Sequence, residues 1–145
     1  MHQTRRTGWR APALTIALGA ALVAGLAVPA SAATHRLSGT LSCIGTLTQY
    51  DTFRVHARGG ASITVSSFTS IAAGGVNYGL RSKNGTQVTR SLNFVRSELN
   101  RSKRFTTTQG SATIPQGHFA VNARHVTKST GCGFPLPSWS GSLSL

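Results

Sequence analysis

From Leu37 onward the chain is written in twos. Leu37, Gly39, Leu41, Cys43, Gly45 and Leu47 alternate with Ser38, Thr40, Ser42, Ile44, Thr46 and Thr48, the period of a strand with one buried face and one wet face. Phe53, Val55 and Ala57 are then set to point inward, with Arg54, His56 and Arg58 outward. After Gly59-Gly60, the residues Ala61, Ile63 and Val65 alternate with Ser62, Thr64 and Ser66, and Phe68 falls out of phase. That slip predicts a bulge or a strand end near Ser67. Val76, Tyr78 and Leu80 alternate with Asn77, Gly79 and Arg81, and the rhythm resumes over residues 86–94 after Lys83-Asn84-Gly85. Asn-Gly between two such runs predicts a hairpin, because both residues accept positive φ.

Residues 95–104 lose the alternation and read as a short helical turn or a loop. Short strands are expected over residues 105–108 and 111–114, with a turn at Pro115-Gln116-Gly117. Phe119, Val121 and Ala123 make one further strand, and Trp139, Gly141, Leu143 and Leu145 alternate with serines as the last. Seven or eight short strands, each apolar on one side, must bury those sides against one another. The expected fold is all-β, an antiparallel β-sandwich of about 7–8 strands, with a small β-barrel as the other closed solution.

The first and last of these strands match in kind at nearly every position, Leu37-Ser38-Gly39-Thr40-Leu41 against Trp139-Ser140-Gly141-Ser142-Leu143. They are therefore expected to lie side by side. Cys43 and Cys132 are the only cysteines, and in an exported chain such a pair predicts a disulfide. Closing a loop of about 90 residues is worth about 4–5 kcal/mol on the chain-entropy model. The bridge also orients the two strands. An antiparallel pair with Leu37 opposite Leu145 puts Cys43 opposite Trp139, within reach of Cys132, whereas a parallel pair leaves the sulfurs too far apart.

Export is expected from the start of the chain. Arg5, Arg6 and Arg10 precede an uncharged, mostly apolar run over residues 13–28, and Ala30-Ser31-Ala32 supplies small residues at a cleavage point. That is the layout of a secretory signal peptide, and the run is shorter than the roughly 20 residues needed to span a bilayer. The expected organisation is a signal at 1–32 and one β-sandwich domain at 33–145. Thr4-Arg5-Arg6-Thr7-Gly8-Trp9 also resembles the twin-arginine export signal of bacteria, with Gly8 where that signal carries a large apolar residue. The excess of Arg over Lys and the Ala-rich leader point to a high-GC bacterial source.

Charge narrows the function. The chain carries 15 Lys and Arg against 2 acids, a formal +13, and Asp51 and Glu98 are those two acids. Such a balance attracts polyanions. Arg grips phosphate with a planar fork that Lys lacks. The candidate anion-binding residues are Arg96, Arg101, Lys103 and Arg104 in the basic stretch, with Arg54 and Arg58 as a second strip on one strand. The implied partner is an anionic polymer of the cell envelope, the implied location is secreted and wall-associated, and the implied role is non-enzymatic binding.

Two acids leave little room for catalysis. A Ser-His-Asp triad could use only Asp51, no Gly-x-Ser-x-Gly elbow occurs, and a glycosidase pair would need both acids at once. The histidines lack close metal-ligand spacing, and no cofactor is expected. A small ribonuclease-like hydrolase remains the alternative, with Glu98, the neighbouring arginines and His118 or His125 supplying base, acid and cations. A secreted toxin or inhibitor acting through residues 95–104 on a protein target is the third reading. Asn84-Gly85-Thr86 and Asn100-Arg101-Ser102 have the form of glycosylation acceptors, expected to be fortuitous in a bacterium.

Overall fold

The computed structural model describes residues 32–42, 45–71, 73–126 and 135–145. Nine strands occur among them. They are β1 (Thr34–Thr40), β2 (Thr48–Gln49), β3 (Arg54–His56), β4 (Ser62–Thr69), β5 (Val76–Ser82), β6 (Leu92–Phe94), β7 (Ser102–Arg104), β8 (Gly117–His125) and β9 (Ser138–Ser144). One antiparallel sheet has the order β1-β9-β4-β7. The other runs β2-β8-β5-β6, with β3 also paired to β8. This arrangement is consistent with a β-sandwich, and no barrel closes. The expected signal peptide lies outside the described residues apart from its last residue, Ala32.

The inward residues of each strand make one apolar cluster. Ile63, Val65 and Leu143 from the first sheet meet Val76, Tyr78, Leu80, Phe94, Val121 and Ala123 from the second, with Phe105 and Ile114 arriving from connections. Burying each large side chain contributes about 1.5–3 kcal/mol. The other side of the first sheet is a field of hydroxyls. Ser66 and Ser67 both reach the Ser140 hydroxyl, at 3.0 and 2.7 Å. Two residues face one there because the ladder between β4 and β9 slips between Val65 and Ser67. That is the bulge Phe68 foretold, and it returns Phe68 to the core.

β1 and β9 are neighbours, as their matched patterns implied, and antiparallel, the sense expected from the disulfide; their register differs from the expected one. Leu37 faces Gly141 and Gly39 faces Trp139, four residues along β9 from the expected pairing with Leu145. An even slip keeps every side chain on its face, so periodicity cannot detect it. Glycines select the register. A Cβ at Gly39 would fall within the ring of Tyr50, and one at Gly141 would strike the backbone carbonyl of Thr64.

The expected Cys43–Cys132 disulfide is corrected. The two cysteines show no disulfide-distance pairing, and both lie outside the described residues. What joins the ends of the described chain is the ladder from Thr34–Ser144 to Thr40–Ser138, extended by Leu41 N–H to the Pro137 carbonyl at 2.8 Å.

β3 has the opposite phase to the expected one. Val55 is 67% exposed while His56 is 2% exposed. β3 is a three-residue edge strand paired with β8, His56 opposite Gly117 and Arg54 opposite Phe119. The Phe119 ring fills the space that Gly117 leaves free, and the His56 ring packs against Phe119, centroids 5.9 Å apart.

The Asn84-Gly85 turn forms, closed by Ser82 N–H to the Thr86 carbonyl at 2.9 Å. Only Gly85 has positive φ (85°). Asn84 instead accepts the Thr86 N–H at 3.1 Å through its side chain, so the loop spans three residues with glycine at its left-handed position. The return strand is interrupted, because the buried Thr89 hydroxyl takes the Leu80 N–H at 3.0 Å and leaves β6 only three residues long. Residues 95–104 hold the helical turn, a 3-10 turn over Arg96–Glu98, and then an unexpected strand, β7, paired with Ser62–Thr64 of β4.

Candidate anion-binding cleft

The basic stretch divides on folding. Arg96, Arg101 and Arg104 are exposed, but Lys103 turns inward. Its Nζ lies 2.7 Å from Glu98 Oε1, donates to the Asn93 carbonyl, and sits 4.7 Å from the Phe94 ring centroid. The other Glu98 oxygen accepts the Val95 N–H at 3.2 Å. The Lys103 hydrogen bond, followed by that backbone bond, holds the Glu98 carboxyl below its ordinary range. Arg54 and Arg58 do not form one strip. β3 ends at His56, Arg58 is exposed beyond it, and Arg54 turns to the inner side of the rim, donating to the Thr52 carbonyl at 3.0 Å.

That turn of Arg54 makes a cleft. It opens between β1 and the link from β2 to β3, is about 240 Å³ in volume, and is lined by Arg36, Leu37, Ser38, Tyr50, Thr52, Arg54, Val121 and Trp139. Alternation in β1 supplies Arg36 and Ser38 around Leu37. Arg36 is a lone cation in an otherwise ordinary strand, so sequence reasoning passed it over. Only its convergence with Arg54 from the opposite sheet gives it a role.

One wall is built from aromatic rings. The Tyr50 ring occupies the space that Gly39 leaves free. Its hydroxyl accepts the Trp139 Nε1–H at 2.8 Å and donates to the Thr40 carbonyl at 3.0 Å. The two rings meet edge to face at 5.8 Å, and Trp139 meets Tyr78 at 4.7 Å. Such pairs contribute about 0.5–1.5 kcal/mol beyond burial. Burial pushes the Tyr50 hydroxyl upward, with the Trp139 hydrogen bond pulling the other way, so it stays neutral at physiological pH.

The chain carrying this wall is held from beneath. Arg81, 4% exposed on β5, donates through Nη2 to the Tyr50 carbonyl at 2.9 Å and to Asp51 Oδ1 at 2.6 Å. Its guanidinium lies 4.9 Å from the Phe53 ring centroid. A buried guanidinium is costly unless paired, and its partners here are residues 50–53. Arg81 therefore fixes the segment that presents Tyr50, Thr52 and Arg54. The resulting cleft has two guanidinium groups, hydroxyls from Ser38 and Thr52, an apolar floor, and no carboxylate among its lining residues.

The hydrolase alternative calls on Glu98, its neighbouring arginines and His118 or His125. Glu98 is engaged by Lys103 and Val95. His118 is exposed at one end of β8, and His125 is buried at the other end with neither ring nitrogen hydrogen-bonded. Desolvation lowers the His125 pKa, which disfavours the protonated form an acid catalyst needs. Among the described residues no group of three His, Cys, Asp or Glu could hold a metal ion, and no helix is long and apolar enough to cross a membrane. Comparison with family models, curated proteins and solved structures finds no match for this chain.

Proposed function

We propose that this is a secreted, non-enzymatic binding protein whose ligand is an anionic polymer of the cell envelope. The observation that carries the reading is the fate of the two acids. Asp51 pairs with Arg81 and Glu98 with Lys103, so every other Arg and Lys of the described residues lacks a carboxylate partner within the fold. Those cations lie at both rims of the two sheets, at the Lys83 turn and on Arg124 of β8. Their counter-ions come from outside. A flexible polyanion can satisfy many such charges at once, and releasing its small counter-ions drives binding.

Fractionation of cells expressing the full chain tests this. The protein is expected in the wall fraction and released by a salt wash, with affinity falling linearly in log salt. Recovery in the medium alone, or wall association indifferent to salt, would overturn the reading in favour of a packed protein interface.

A further inference from the structure

We infer that the cleft between β1 and the β2–β3 link binds one phosphodiester-linked polyol unit of such a polymer, with Arg36 and Arg54 as its ligands. This rests on the polyanion reading and adds the chemistry of the repeat unit. Arg36 comes from the first sheet and Arg54 from the second, and both line the cleft. A phosphodiester carries two non-bridging oxygens, enough acceptors for both guanidinium groups to share. The guanidinium fork matches carboxylate as well as phosphate, so discrimination falls to the linker between the charges.

The rest of the cleft fits the linker. Ser38 and Thr52 offer hydroxyls to a polyol, over a floor of Leu37, Val121 and Trp139. About 240 Å³ is below the range of about 300–1,000 Å³ that houses larger ligands, which suits a single small repeat unit. Nucleic acid fits less well. Base stacking needs an open ring face, whereas Trp139 is 3% exposed and Tyr50 packs edge-on against it. The wall is also fixed before any ligand arrives, by Arg81 from below and by the Tyr50–Trp139 bond, so binding orders little chain.

The test titrates the full-length protein with poly(glycerol phosphate), with polyglutamate of matched charge and with a single-stranded oligonucleotide. The Trp139 indole N–H resonance is followed, since its donor lies at the cleft wall. Poly(glycerol phosphate) is expected to bind at least tenfold more tightly than the other two and to move that resonance. The double variant Arg36→Gln/Arg54→Gln should weaken its binding at least tenfold. The slope of log K against log salt should also fall by about 0.7, for the one phosphate that the two arginines share.

Arg96→Gln/Arg101→Gln/Arg104→Gln should weaken it less and leave the indole shift intact. If the triple variant loses binding and the double variant does not, the cleft assignment fails while the polyanion reading stands. Equal affinity for polyglutamate or the oligonucleotide overturns the polyol-phosphate assignment alone. No binding to any of the three polymers overturns both.

Discussion

The two rims of the molecule use the same ingredients, basic side chains and a single acid, to opposite ends. At the β6–β7 rim the acid and its partner are near neighbours in sequence, Glu98 and Lys103, and both are partly exposed. Their pairing closes a local turn and leaves Arg96, Arg101 and Arg104 pointing into solvent. At the β1–β3 rim the buried Arg81 reaches across 30 residues to Asp51. The pair holds a wall against which two further arginines, 18 positions apart in sequence, share one cleft. A dense run of cations in the sequence thus becomes a dispersed surface, while isolated cations come to line one cleft. Density along the chain measures how strongly a segment attracts anions at a distance; convergence in space measures where one can be held.

The difference can be broken most forcefully at Gly39. Gly39→Val places a side chain where the Tyr50 ring lies, and overpacking together with the broken Tyr50 hydrogen bonds is expected to cost about 3 kcal/mol. Denaturant unfolding measures this; an unchanged midpoint would show that the ring wall does not depend on the glycine. Arg81→Met comes next. It removes charged hydrogen bonds to Tyr50 and Asp51, at a cost of about 2 kcal/mol. It should also weaken poly(glycerol phosphate) binding at least threefold without touching the ligand. Normal affinity in a destabilised Arg81→Met would reduce Arg81 to a purely structural residue.

Smaller effects separate by pH. His125 has its pKa lowered by desolvation, so the unfolded chain takes up that proton first. Its contribution to stability is complete above the unfolded value of about 6.5 and is lost as pH falls through the lower folded value. His125→Phe should remove that slope of the thermal midpoint while leaving stability near pH 8 little changed, since neither nitrogen has a partner to lose. Glu98 acts in a more acidic window. Its lowered pKa makes its contribution complete above the unfolded value of about 4.3 and lost as pH falls further. Glu98→Gln should flatten only that acid limb. The least change is expected from Arg96→Gln/Arg101→Gln, within about 0.5 kcal/mol of the parent, because both side chains are exposed.

Periodicity carried much of the architecture. Two-residue alternation fixed the all-β class and the inward faces of β4, β5, β8 and β9. The phase slip at Phe68 located the bulge, and the likeness of the two end strands made them neighbours. The misplaced features share one origin. The register of β1 on β9 slid by an even number, invisible to a pattern of period two. The phase of β3 was set by the packing of His56 against Phe119 rather than by the greater hydrophobicity of Val55.

What the sequence determined by itself, then, was composition and rhythm: a strongly basic chain with two acids, and strands whose apolar sides had to meet. Those follow from burial, which acts residue by residue. Which strands slid where, which cation turned inward and which two arginines share a cleft were decided only by tertiary structure. They depend on whether particular atoms fit, at Gly39 beneath the Tyr50 ring and at Gly141 against β4, and steric fit between distant segments leaves no period along the chain.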